Sequence, residues 1–188
     1  MQKHVPTYDE ALSLFKEFNK SESLLKHAYA VEGVMRYLAR KRGEDEEKWG
    51  IIGLMHDLDY ERFPEQHCRK SREILEERGW PEDYIRAILS HGWGICNDVE
   101  PQTEMEKTLY AIDELTGLIT AVAIIRPSKS VMDLEAKSVM KKWKDKAFAA
   151  GVNRSVIEKG TVMLKVDLQD LVTDVISGMR EVADRIGL

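Results

Sequence analysis

The chain has 188 residues, of which 43% are apolar and 32% are charged, and its formal net charge is −5. These values indicate one folded domain and exclude overall disorder. The mild acidity argues against general nucleic-acid binding. No apolar run is long enough to span a membrane, and the first residues lack the pattern of a signal peptide. The two cysteines, Cys68 and Cys96, match no CxxC pattern, so we expect small apolar roles for them and a cytoplasmic protein.

Helical periodicity runs along the whole sequence, and no segment alternates as a strand does. Ser23 is expected to cap the second helix and Gly43 to end it, while Thr103 and Glu106 form a capping box at the start of the sixth. The pattern therefore predicts an all-α fold. In chain order, its helices are expected at 8–19, 24–42, 44–57, 66–79, 81–91, 103–126, 133–149, 153–160 and 167–186.

Four polar residues stand out within apolar helical segments. His27 shares a helix row with apolar residues, which by itself is typical of a core histidine. The pair His56–Asp57 ends an almost wholly apolar helix and would be costly to bury without a partner. A divalent cation satisfies an imidazole and a carboxylate together. Asp113 lies in an apolar helix interior, where helix propensity does not favour aspartate.

Two further histidines lie near helix ends. His67 is expected to open the fourth helix and His91 to close the fifth, on either side of a turn at Gly79. Together with the four residues above, they form a candidate metal-binding set drawn from five successive helices. We expect these six side chains to converge.

The order H…HD…D, here His27, His56–Asp57 and Asp113, resembles the signature of the HD superfamily of metal-dependent phosphohydrolases. The stretch HCRKSREILEERGWPEDYIRAILSH is similar to the segment that supplies two more histidines in binuclear members. The resemblance covers about residues 24–125. It implies an HD-domain helical bundle, with 126–188 as a C-terminal helical extension of one domain spanning 1–188. Tyr60 stands where many nucleotidases of the superfamily have glutamate, and there is no GYP motif, so substrate specificity does not transfer.

The resemblance implies two divalent metal ions, among which the sequence does not distinguish Fe, Mn, Zn, Ni, Co and Mg. It also implies that a metal-activated water hydrolyses a small phosphorylated molecule, with nucleotides as one candidate class. Asp57 and Asp59 are the candidate catalytic residues, and Glu61 is a second candidate for the base. The implied ligands are His27, His56 and Asp113 for one ion, His67 and His91 for the other, and Asp57 between them.

A phosphorylated substrate needs cationic partners, and Arg126 and Lys129 lie in the turn after the Asp113 helix. We expect them to bind the phosphate, whereas the lysines at 137–146 are interpreted as a solvated helix face. Two alternatives remain open. One is a di-iron oxygenase of the same fold with the same ligands, and the other is a non-catalytic, metal-stabilised binding module. The sequence does not determine the oligomeric state.

Overall fold

A computed structural model describes residues 4–188, and this part of the chain contains α-helices and no strand. The all-α prediction is confirmed. A single turn of 3₁₀ helix at Pro64–Gln66 lies between the third and fourth helices. The helices are α1 Tyr8–Phe18, α2 Glu22–Arg42, α3 Glu46–Met55, α4 Arg69–Glu77, α5 Glu82–Ser90, α6 Glu104–Ile124, α7 Ala136–Trp143, α8 Arg154–Leu164, α9 Leu168–Arg180 and α10 Ala183–Ile186.

The short helix α3 lies at the centre of the fold. Every residue from Trp49 to Met55 is buried, as expected for a helix that is apolar on all its sides. Helix α2 packs along α3 and also contacts α6 and α9, while α1 and α5 cover other sides of α3. The central position of α3 places the two residues that follow it, His56 and Asp57, in the interior of the bundle.

The C-terminal helices join the same hydrophobic core. Helix α8 packs on α6, α9 packs on α2, and α7 contacts both α6 and α9. Val139, Ile157 and Val175 are fully buried in the cluster that also contains the residues of α3. Residues 126–188 therefore support the two long helices, α2 and α6, that carry His27 and Asp113. None of the described helices has the length and apolar character needed to cross a membrane.

Local signals placed several helix ends correctly. Gly43 adopts the left-handed conformation after α2, with φ of 71°, and Thr103 forms the expected capping box with Glu106. Other ends differ. The residue before α2 is Ser21 rather than Ser23, α7 is shorter than expected, and the last predicted helix is broken between α9 and α10.

Helix α8 continues past Gly160 to Leu164, although a helix end was expected at this glycine. A Cβ atom at position 160 would lie 2.4 Å from the Cβ and 2.5 Å from the Cα of Ala111 in α6. Gly160 thus allows α8 to pack closely on α6 and does not end the helix. A glycine in the sequence is typical of both roles, so the sequence alone did not distinguish them.

The fourth helix begins at Arg69, so His67 lies just before it instead of opening it. The intervening residue, Cys68, has a φ of 66°, in the left-handed region. This backbone turn separates the 3₁₀ turn from α4 and places His67 on a loop beside α3.

Candidate metal centre

Four predicted ligands form a compact group that we name the first half-site: His27, His56, Asp57 and Asp113. The Nε2 atom of His56 lies 3.2 Å from Nε2 of His27 and 3.3 Å from oxygens of both Asp57 and Asp113. His27 Nε2 also lies 3.0 Å from Asp113 Oδ1. These side chains come from α2, from the residues that follow α3, and from α6.

His67 and His91 form the second half-site together with Asp57. Their Nε2 atoms lie 3.0 Å apart, and they are 3.5 Å and 3.7 Å from Oδ1 of Asp57. The other oxygen of Asp57, Oδ2, is the one that faces His56 and His27. The structure thus brings all six predicted side chains together, and Asp57 presents one oxygen to each half-site.

Hydrogen bonds behind the rings fix the orientation of three histidines. His56 Nδ1 lies 2.8 Å from the carbonyl oxygen of Gly53, and His91 Nδ1 contacts the carbonyl oxygen of Ile88. Since a carbonyl oxygen only accepts, both Nδ1 atoms carry the proton and donate it. His67 Nδ1 donates in the same way to Oδ1 of Asp59, at 2.7 Å. In each ring the Nε2 lone pair of the neutral form therefore points into the site.

This donor set fits divalent cations. The lone pair of His56 Nε2 faces two carboxylate oxygens, and the lone pairs of His67 and His91 face each other across 3.0 Å. Such contacts between acceptors are unfavourable unless positive charge lies among them. Imidazole and carboxylate donors suit Zn, Mn, Fe and related ions. Two groups of the described residues have donor atoms close enough to hold an ion, and they are His27, His56 and Asp57, and His67, Cys68 and His91.

The pKa shifts of the site residues also indicate that positive charge is favoured at this position. Burial opposes charge on His56, but the carboxylates of Asp57 and Asp113 outweigh it and raise the pKa of His56 well above 6.5. Burial likewise opposes charge on the two carboxylates, and the neighbouring His56 imidazolium overcomes this and lowers the pKa of Asp57 and Asp113. The pKa of His67 is raised because Asp59 and Asp57 outweigh its burial.

An open cavity of about 360 Å³ gives access to both half-sites. Its size suits a small molecule. Carboxylates and imidazoles line its floor, and no Lys or Arg of the described part of the chain belongs to its lining. The lining residues are His27, Asp57, Tyr60, His67, His91, Gly92, Ile95, Cys96, Asp113, Glu114, Gly117 and Gly151.

Asp59 lies behind His67 and not in the cavity. Its side chain is fully buried, one oxygen accepts from His67, and the other accepts from the backbone N–H of Ser71 at 2.8 Å. This geometry corrects its expected role as a base, because both oxygens are occupied away from the cavity. Glu61 accepts from the backbone N–H groups of Lys20 and Ser21 and thereby ties the α1–α2 connection to the loop after α3.

Arg126 and Lys129 do not reach the cavity. Since an α-helix rises about 1.5 Å per residue, the end of α6 at Ile124 lies about 16 Å along the axis from Asp113. Arg126 is beyond that end, where it binds the carboxylate and the carbonyl oxygen of Asp133, and Lys129 is exposed. This placement corrects the expectation that they bind phosphate and favours their interpretation as surface residues.

Sequence reasoning missed two features of the cavity. Glu114 follows the candidate ligand Asp113, lines the cavity and accepts from the backbone N–H of Asn153 at 3.0 Å. Burial raises its pKa. The second feature is Cys96, whose Sγ lies 3.0 Å from that of Cys68. The Cys68 contact lowers the pKa of the Cys96 thiol to about 6. Proximity to Asp113 was the only sequence signal for Glu114.

Comparison with known proteins agrees with this geometry. A family model described as HD domain matches residues 24–118, which are 95 of the 188 residues and include all six side chains of the two half-sites. A comparison with solved structures gave no match. The chain therefore belongs to the HD domain family, whose members are generally metal-dependent hydrolases.

Proposed function

We propose that this protein is a metal-dependent phosphohydrolase that acts on a small phosphorylated molecule, with nucleotides as one candidate class. The observation that carries the proposal is the position of Asp57, whose two oxygens face two separate groups of imidazoles at the floor of an open cavity. A carboxylate shared in this way is suited to hold two cations close to one substrate.

The first half-site would hold one divalent ion and the second half-site the other, with Asp57 common to both. When bound, the ions would neutralise charge on a phosphoryl oxygen and lower the pKa of a water molecule. The carbonyl groups of Gly53 and Ile88 and the carboxylate of Asp59 keep the three imidazole rings turned towards this position.

Glu114 is the side chain best placed to carry a proton to the departing oxygen of the substrate. It lines the cavity directly after Asp113 in the chain, and burial raises its pKa. The N–H of Asn153 fixes its orientation. Glu114 thus lies in the cavity, whereas Asp59, the base suggested by the sequence, lies behind His67.

The composition of the lining decides how the phosphate is recognised. With three carboxylates and no Lys or Arg among the described lining residues, an anionic substrate is repelled unless cations are present. Substrate binding should therefore require the metal as strictly as turnover does.

The test is a phosphate-release assay on a panel of phosphorylated compounds, with metal content measured on the same samples. We expect release with native protein, and no release after chelation or in Asp57→Asn. Lys129→Ala is the matched surface control and should keep full activity, because Lys129 lies away from the cavity. Glu114→Gln should lower kcat while the protein keeps its bound metal.

Two results would contradict the proposal. Phosphate release that survives both chelation and Asp57→Asn would place the reaction elsewhere. Turnover that requires dioxygen and stops in an anaerobic assay would identify the oxygenase alternative instead.

A further inference from the structure

The two cysteines of the chain meet at the wall of the metal cavity, although 28 positions separate them in the sequence. Their Sγ atoms lie 3.0 Å apart. Cys68 is buried, with 1% of its surface exposed, whereas Cys96 is exposed and lines the cavity. The proposed hydrolysis uses neither thiol. The cavity therefore gives small molecules access to one member of a thiol pair.

Gly92 provides the space in which the two sulfur atoms meet. A Cβ atom at this position would lie 2.4 Å from Sγ of Cys96 and 2.6 Å from Sγ of Cys68. The backbone around Cys96 is also well defined, because the N–H groups of Ile95 and Cys96 both donate to the carbonyl oxygen of Gly92 at 3.0 Å. The contact between the two sulfur atoms thus depends on the space at Gly92 and on the hydrogen-bonded turn that carries Cys96.

We propose that Cys68 and Cys96 are a redox modification site, at which a peroxide that enters the cavity converts the two thiols to an intramolecular disulfide. A disulfide has an S–S distance of about 2.05 Å, so the sulfur atoms must approach by about 1 Å. Cys68 lies on the loop before α4 and Cys96 lies on the turn after α5. Neither is in a helix interior, so this movement breaks no central turn of a helix.

The reaction is balanced with one hydrogen peroxide per disulfide. The exposed sulfur of Cys96, as thiolate, attacks one peroxide oxygen. An S–O bond forms and the O–O bond breaks, and the hydroxide released takes up a proton to give water. The sulfur of Cys68 then attacks the sulfur of Cys96. An S–S bond forms, the S–O bond breaks, and the leaving hydroxide combines with the Cys68 proton as a second water. The thiols lose two electrons and the peroxide gains them.

The disulfide would constrain the second half-site, because its two cysteines lie on the segments that carry His67 and His91. Cys68 directly follows His67, and the turn that carries Cys96 starts directly after His91. A disulfide would join the two segments that supply the histidines of the second half-site, while His27, His56 and Asp113 belong to other segments.

The experiment treats the reduced, full-length protein with one equivalent of hydrogen peroxide and then counts free thiols under denaturing conditions. We expect both thiols to disappear and dithiothreitol to restore them. Tryptic digestion without reductant should yield one cross-linked species that joins peptide 63–69, which contains Cys68, to peptide 87–107, which contains Cys96.

Single-cysteine variants separate the two roles. In Cys68→Ser, Cys96 should react with peroxide and accumulate as a sulfenic acid that dimedone traps. In Cys96→Ser, the buried Cys68 should react with peroxide at least about tenfold more slowly than Cys96 does in Cys68→Ser. The peptide map of the native protein decides the question alone if a variant fails to fold.

The proposal is overturned if both thiols survive the treatment, if the cross-link joins two chains, or if Cys96 is oxidised without a link between the two peptides. These experiments measure the state of the thiols and not catalytic turnover. Their result is therefore independent of whether the proposed hydrolase activity is found.

Discussion

The orientation of a metal-binding histidine depends on the group that is hydrogen-bonded to its second ring nitrogen, and His67 shows this dependence most directly. It lies on a loop, outside any helix, and its orientation comes from the buried carboxylate of Asp59. The N–H of Ser71, in the first turn of α4, fixes the other oxygen of that carboxylate. Asp59 is therefore a positioning residue that acts through His67.

Replacing Asp59 with Asn should weaken metal binding at the second half-site. An amide has one acceptor atom, so either His67 or the N–H of Ser71 loses its partner. Loss of a partner behind a metal-ligating histidine typically lowers affinity about 10–100-fold. Calorimetric metal titration of the variant and the native protein would measure this change. Lys129→Ala serves as the surface control, and equal affinities for Asp59→Asn and native protein would contradict the assignment.

Metal affinity should fall as the pH decreases. The pKa values of His56 and His67 are raised, so these rings keep a proton to a pH above 6.5, and an ion must displace it. The decline should therefore begin above pH 6.5 and reach about tenfold per pH unit for each displaced proton. Titrations near neutral pH, in two buffers with different heats of ionisation, would count the released protons. A count of zero would show that the rings are already neutral.

The identities of the site residues were largely predictable from the sequence, but the contacts between their side chains were not. The H…HD…D order led to the four residues of the first half-site because chemically unusual residues interrupt apolar helices. Local sequence does not encode which oxygen of Asp57 faces which histidine. Nor does it show that Asp59 points away from the cavity while Glu114 lines it, since both are set by packing between distant segments.

At the scale of elements, the packing of α8 on α6 fixes the wall of the cavity that carries Asp113 and Glu114. The contact depends on Gly160, which allows the α8 backbone to approach Ala111. A second glycine in these helices, Gly117, has open space where a Cβ would lie, and it lines the cavity. The two glycines thus have opposite surroundings within one helix pair.

Gly160→Ala and Gly117→Ala should change the free energy of unfolding in opposite directions. The first forces a methyl group against the backbone of Ala111 and should destabilise the fold by about 1–3 kcal/mol. The second replaces glycine inside a helix without a clash and should stabilise it by about 0.5–1 kcal/mol. Urea unfolding of both variants would measure the difference. A neutral Gly160→Ala variant would show that α8 can shift away from α6 at no cost.

Element prediction succeeded where one local signal had one meaning, as at the capping box of Thr103 and Glu106. It failed where a signal had two meanings. Gly160 resembled a helix end but is a packing contact, and the start of α4 depends on the unusual backbone of Cys68, which no propensity favours.

At the scale of the molecule, the metal centre joins parts of the chain from residue 27 to residue 113. Its candidate ligands come from α2, from the segments after α3 and α5, from the loop before α4, and from α6. Ions that bind this folded arrangement, and not the unfolded chain, stabilise the whole bundle.

Added Mn²⁺ or Zn²⁺ should therefore raise the melting temperature of the protein. At a free metal concentration about 100 times the Kd, one site contributes about 2.7 kcal/mol, which corresponds to about 5–10 °C for a chain of this size. Scanning calorimetry with and without metal would show the shift, with Asp57→Asn as the comparison. An equal shift in that variant would locate the stabilising ion elsewhere.

The sharing of Asp57 makes the two half-sites unequal. Asp113 contacts only the first half-site, so that half-site has two carboxylates, while the second has only its share of Asp57. An ion in the first half-site would also neutralise part of the negative charge of Asp57, on which the second half-site depends. If each half-site holds one ion, loading would therefore be sequential and anticooperative, and the first half-site would hold its ion more tightly than the second. The second half-site is the one whose histidines lie on the segments of Cys68 and Cys96, so oxidation of the thiol pair would act on the more weakly bound ion.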